Sequence, residues 1–106
     1  MTEQQFITVE EFREFARKVL VQAGLSRDDV GDVVEPLVYA SLRGIDTHGV
    51  RNFKSYYVDT IVDGSIDPQA TIDVEFETPM SARANGRNGP GLVAAAWGMR
   101  LAMEKA

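Results

Sequence analysis

The chain has 106 residues, of which 44% are apolar and 25% charged, with a net charge of −5 and no cysteine. That balance belongs to a folded globular protein, and the length suits one small domain or one piece of a larger fold. It excludes a disulfide framework and a thiolate metal site, and the acidic excess with scattered cations argues against a nucleic-acid partner.

The opening MTEQQFITVEEF carries no apolar signal core, so a cytoplasmic location is expected. From Ile7 the run ITVEEFREFARKVLVQAGL predicts a first helix, with Val9, Phe12, Ala16, Val19 and Leu20 on one face. Thr8 and Glu11 have capping-box spacing, and Gly24 stands where a left-handed cap ends a helix. Ser26 offers the next N-cap, and Val30, Val33, Val34, Leu37, Val38 and Leu42 predict a second helix closed by Gly44. Pro36 lies inside it and is expected to bend or interrupt it.

After GIDTHG, the spacing of Val50, Phe53, Tyr57 and Ile61 predicts a third helix ending at Gly64. ATIDVEFETP then alternates Ile72, Val74 and Phe76 with polar residues, the pattern of a half-buried strand. Pro79 breaks it, and MSARANG is a candidate second strand. NGRNGPG reads as a turn rather than a phosphate loop, because Pro90 removes a donor and no Walker lysine follows. LVAAAWGMRLAMEKA predicts a last helix. No run is long and uncharged enough for a membrane span. Two short strands do not make a stable sheet unaided, so the chain is expected to be cut from a longer one.

The only histidine, His48, falls in this pattern between the second and third helices. With Asp46 or Thr47 as N-cap, it stands in the first turn of the third helix. An imidazole exchanges protons near neutrality, which suits proton transfer to or from a hydroxyl or carbonyl oxygen. Thr47 is placed to orient the ring by a hydrogen bond, and Gly49 to leave room for a substrate. Arg51, three residues on, offers a bidentate partner for a carboxylate, with Lys54 and Arg43 as weaker candidates. The plainer alternative stays open: a structural histidine at a helix start, and an Arg51 that is solvated or paired with Asp59.

The segments LRGIDTHGV, YYVDTIVDGSIDPQA, ETPMSARANGRNGPG and AMEKA, in this order, resemble the N-terminal part of the malate/L-lactate dehydrogenase family. Its members are similar to sulfolactate, ureidoglycolate and diketogulonate dehydrogenases and to cyclic-imine reductases, and differ from the Rossmann-type lactate and malate dehydrogenases. The resemblance implies an NAD- or NADP-dependent oxidoreductase that interconverts a small 2-hydroxy acid and its 2-oxo acid, working as a homodimer. The family's Ser-His-Gly motif corresponds to Thr47, His48 and Gly49, so His48 would be the acid/base and Thr47 the supporting hydroxyl. Where many members carry an arginine contact to the substrate carboxylate, this chain has Asn52, with Arg51 beside it. Either Arg51 takes over that contact, or the acid is recognised differently. The partner aspartate of the histidine and most of the nicotinamide region are expected downstream of these residues, which alone would turn over little or no substrate.

The expected fold class is α+β, or α/β in the intact family member, of the non-Rossmann dehydrogenase type. Residues 1–66 would form a helical region carrying the Thr-His-Gly motif, and 67–106 the start of an α/β cofactor domain. No cofactor-binding residue is assigned and no metal is expected. The alternative from another class is a non-catalytic helical binding or dimerisation module that keeps the motif as a relic.

Overall fold

The computed structural model describes residues 6–106; residues 1–5, the start of the stretch on which the expectation about export rests, lie outside them. Its order is α1 (Val9–Ala23), α2 (Arg27–Leu42), a broken helical segment from Asp46 to Val62, β1 (Asp73–Thr78), β2 (Ser81–Asn85) and a final helix (Gly91–Lys105). The fold class is therefore α+β.

The first helix begins where Thr8 accepts the Glu11 amide through its hydroxyl at 3.1 Å. It ends at Gly24, whose φ of 119° and close approach to Pro68 both favour glycine. Phe12, Ala16 and Leu20 face inward and are buried. Ser26 is the N-cap of α2, but its hydroxyl makes no capping bond. Val30, Val33, Val34, Leu37 and Val38 form the buried stripe of α2, whereas Leu42, expected on the same face, is exposed. The helix runs through Pro36 without interruption.

The third helical segment is not the single regular helix that its spacing predicts. It consists of a 3₁₀ turn at Asp46–His48, a second at Val50–Asn52, a π-helical stretch at Phe53–Val58 and one α-helical turn, α3, at Asp59–Val62. Its apolar face still packs as the spacing requires, with Phe53 and Ile61 buried and Val50 and Tyr57 against the core. Phe53 meets Phe12 edge-on at 5.5 Å between ring centroids.

The two strands pair antiparallel, from Asp73 opposite Asn85 to Thr78 opposite Ser81, with a bulge between Val74 and Phe76. This hairpin corrects the half-buried reading of the first strand: Val74 and Phe76 are exposed. Alternation marks one face as apolar, but nothing among the described residues covers it. The final helix, α4 (Gly91–Lys105), buries no residue completely, although Leu92 and Val93 lean on the core. Arg100 ties it to Asp32 of α2 at 2.5 Å, and Lys105 to Glu77 of β1 at 2.8 Å. The molecule is elongated, 56 × 29 × 22 Å, and its radius of gyration of 15.5 Å exceeds the about 13 Å of a compact domain of this length.

Candidate functional site

The segment around His48 is held by the C-terminal end of α2. Arg43 closes that helix with its guanidinium stacked 3.5 Å above the Tyr39 ring, and Gly44 turns the chain at φ 74°. The Ile45 amide reaches back to the Ala40 carbonyl at 2.9 Å. Asp46, Thr47 and His48 follow as an exposed 3₁₀ turn.

Neither Asp46 nor Thr47 is an N-cap, which corrects the sequence expectation. Ile45 holds the cap position of this turn and Gly49 that of the next, without side-chain capping in either. The reason is the extended backbone at Gly49 (φ −99°, ψ −157°), which separates the two turns. The same break means that three-residue spacing no longer places His48 and Arg51 on one helical face.

Gly49 is buried, and its missing side chain makes room for Ser41. A Cβ there would overlap Ser41 Oγ and lie 3.2 Å from Ser41 Cβ and 3.3 Å from its Cα. Ser41 Oγ also accepts the Val50 amide at 2.8 Å. Asn52 adds an internal brace, its side-chain amide donating to the Thr47 carbonyl at 2.6 Å. Sequence reasoning missed Ser41; the only local signal was a small residue on the face of α2 nearest its end.

His48 is exposed, and its Nδ1 lies 2.9 Å from Thr47 Oγ1. A hydroxyl both donates and accepts, so Thr47 serves either imidazole tautomer, and Nε2 is left to solvent or substrate. Arg51 is exposed and forms no ion pair among the described residues; Asp59, its candidate partner, is taken by Lys54 at 3.0 Å. Tyr57 is half-buried nearby on the same segment, and burial pushes its phenol above the ordinary range. The arrangement offers one exposed acid/base imidazole with a supporting hydroxyl, and a free guanidinium on the adjoining turn.

A cleft of about 280 Å³ lies elsewhere, between the hairpin and α4, where Met80 and Ser81 face Trp97 and Leu101. Its ionisable side chain, Lys105, is engaged by the Glu77 carboxylate at 2.8 Å and the Thr78 carbonyl at 2.7 Å. The glycine-rich loop does not fit a dinucleotide diphosphate. Arg87 pairs with Asp73, the Asn88 amide donates to the Ser65 carbonyl at 2.7 Å, and Gly89 N–H closes the loop on Gly86 at 3.0 Å. Among the described residues no group of three or more histidine or carboxylate side chains could hold a metal, and no helix is long and apolar enough to cross a membrane.

Comparison with known proteins gives this geometry a context. The malate dehydrogenase of Pyrococcus abyssi is 38% identical over 100 residues, which make up 94% of this chain and 27% of that protein. The ureidoglycolate dehydrogenase of Escherichia coli is 36% identical, again over 94% of this chain, and 28% of its own length is covered. Among solved structures, malate dehydrogenase from Entamoeba histolytica superposes with a TM-score of 0.93 at 36% identity, over 98% of this chain and 29% of the other. Sulfolactate dehydrogenase from Methanocaldococcus jannaschii gives a TM-score of 0.91 at 28% identity, over 96% and 29%. The chain thus spans between a quarter and a third of the length of these relatives. The malate/L-lactate dehydrogenase family pattern matches residues 7–106, and the chain belongs to that family of oxidoreductases.

Proposed function

We propose that the chain forms the N-terminal, substrate-side part of an oxidoreductase that interconverts a small 2-hydroxy acid and its 2-oxo acid with NAD or NADP. In this reading the protein is cytoplasmic and homodimeric, and its full length is that of its relatives. The observation that carries it is the His48 imidazole, exposed at Nε2 and engaged at Nδ1 by the Thr47 hydroxyl.

In oxidation, His48 Nε2 takes the proton of the substrate hydroxyl. In reduction, the same nitrogen returns a proton to the carbonyl oxygen as it gains charge. Both directions use a ring protonated at Nδ1; Thr47 Oγ1 accepts that N–H and so keeps Nε2 for the exchanged proton. Arg51, without an ion-pair partner among the described residues, meets the substrate carboxylate. Asn52, whose amide nitrogen is spent on the Thr47 carbonyl, offers its Oδ1 to the substrate. The nicotinamide, which exchanges a hydride with such substrates when bound, is held by residues other than the glycine-rich loop. Residues 1–66 are then the helical region carrying the motif and 67–106 the beginning of the cofactor domain. The placing of the core cluster, from Phe12 to Ile61, supports that division.

The test is a turnover assay on the full-length gene product with NAD and NADP against malate, sulfolactate and ureidoglycolate, following the reduced nicotinamide. At least one acid is turned over, and His48→Ala lowers kcat by roughly 10²–10⁴-fold. Undiminished turnover by that variant removes His48 from the chemistry.

A further inference from the structure

We infer that Ser41, on α2 and outside the Thr-His-Gly motif, is the positioning residue for His48; the inference rests on the acid/base reading of that histidine. Val50 opens a 3₁₀ turn, and amides at a helix start have no partner within the helix. The N-cap, Gly49, has no side chain to supply one. The missing acceptor comes instead from another helix, as Ser41 Oγ takes the Val50 N–H at 2.8 Å in a half-buried bond.

The contact is steric as well as polar. Gly49 lies so close to Ser41 that a Cβ would overlap its hydroxyl, so the backbone next to His48 rests directly on α2. Upstream, the chain is pinned by Ile45 N–H on the Ala40 carbonyl, and downstream by Phe53 in the core. Between those points Val50 packs on the core, and Ser41 supplies the side-chain hydrogen bond from α2 to the segment. The His48 ring is exposed, and its hydrogen-bond partner, Thr47, is its own neighbour and moves with it. The position of Nε2 is therefore set by the backbone, and Ser41 sets the backbone. A displacement of about 1 Å in a catalytic group costs up to about 10²-fold in rate.

The experiment is a double-mutant cycle on the full-length gene product. Ser41→Ala lowers kcat by roughly 10- to 100-fold with little change in KM. In a His48→Ala background it costs nothing further, because Ser41 acts through a ring that is no longer there. Val50→Pro removes the donor in place of the acceptor, suits a first helical position, and gives a loss of the same order. In hydrogen exchange, Ser41→Ala speeds the Val50 amide and leaves core amides such as Leu37 unchanged. A wild-type kcat in Ser41→Ala, or an equal loss with and without His48, overturns the role of Ser41 while His48 keeps its own. Wild-type turnover by His48→Ala alone overturns the acid/base reading, and the role of Ser41 with it.

Discussion

The helical region up to Val62 and the arm formed by the hairpin and α4 are held by different forces. Among the described residues, all buried apolar side chains except Pro90 lie between Phe12 and Ile61. The arm is fastened by the strand ladder, by Leu92 and Val93 leaning on the core, and by two ion pairs, Arg100 to Asp32 and Lys105 to Glu77, each with one exposed and one half-buried partner. Such pairs add little stability beside a packed core. The candidate site belongs to the first region, where backbone position is enforced by burial. The proton-transfer group proposed above, His48, thus stands on the region that carries the packed core.

The sharpest way to break this contrast is at the centre of the core. Leu20, fully buried, replaced by Ala is expected to cost about 2–5 kcal/mol, read from urea unfolding followed by helical circular dichroism. Gly49→Ala forces a Cβ into Ser41 and should cost about 1–3 kcal/mol in the same measurement. Its damage extends to the site, so its loss of turnover should exceed what unfolding explains. Thr8→Ala removes the cap of α1 and is expected to cost about 1 kcal/mol. On the arm, Phe76→Ser changes an exposed side chain and should stay within about 0.5 kcal/mol. A cost comparable to Leu20→Ala would show that the two regions are not held differently.

The smallest effect is one of pH. The Ser65 hydroxyl, and then its amide, hold the Asp63 carboxyl below the ordinary aspartate range. A depressed folded-state pKa lends stability that is whole above the unfolded value and fades as pH falls through the folded one. Asp63→Asn should therefore be slightly destabilising at neutral pH, with the difference fading as pH falls below the ordinary aspartate range, in paired unfolding curves.

What was legible in the sequence follows the reach of each interaction. Thr8, Gly24 and the apolar stripes of α1 and α2 act within a turn or two, and the structure keeps them. The hairpin was legible from alternation and Pro79, but not the exposure of Val74 and Phe76, because alternation records which residues share a face and not what covers it. The family was legible because its landmarks are spread over the chain in a fixed order. At the site, the closeness of Thr47 and His48 could be read from their adjacency. The role of Gly49 could not, since it depends on Ser41, a helix away. That contact also explains why a regular helix was expected after His48 and two separate turns are found.

The π-helical stretch at Phe53–Val58 gives this segment a counting rule. A π turn is an α turn with one residue inserted, and one α-helical residue corresponds to about 100° around the axis. Deleting a single residue between 53 and 58 would allow a regular helix to form. The segments on either side would stay in register, whereas one further inserted residue, with no second π turn to absorb it, would swing the His48 turn by about that angle relative to Asp59–Val62. The aim of the imidazole is thus governed by the number of residues in this stretch as well as by their identity. Here a conservative substitution should be tolerated where a further one-residue insertion should not.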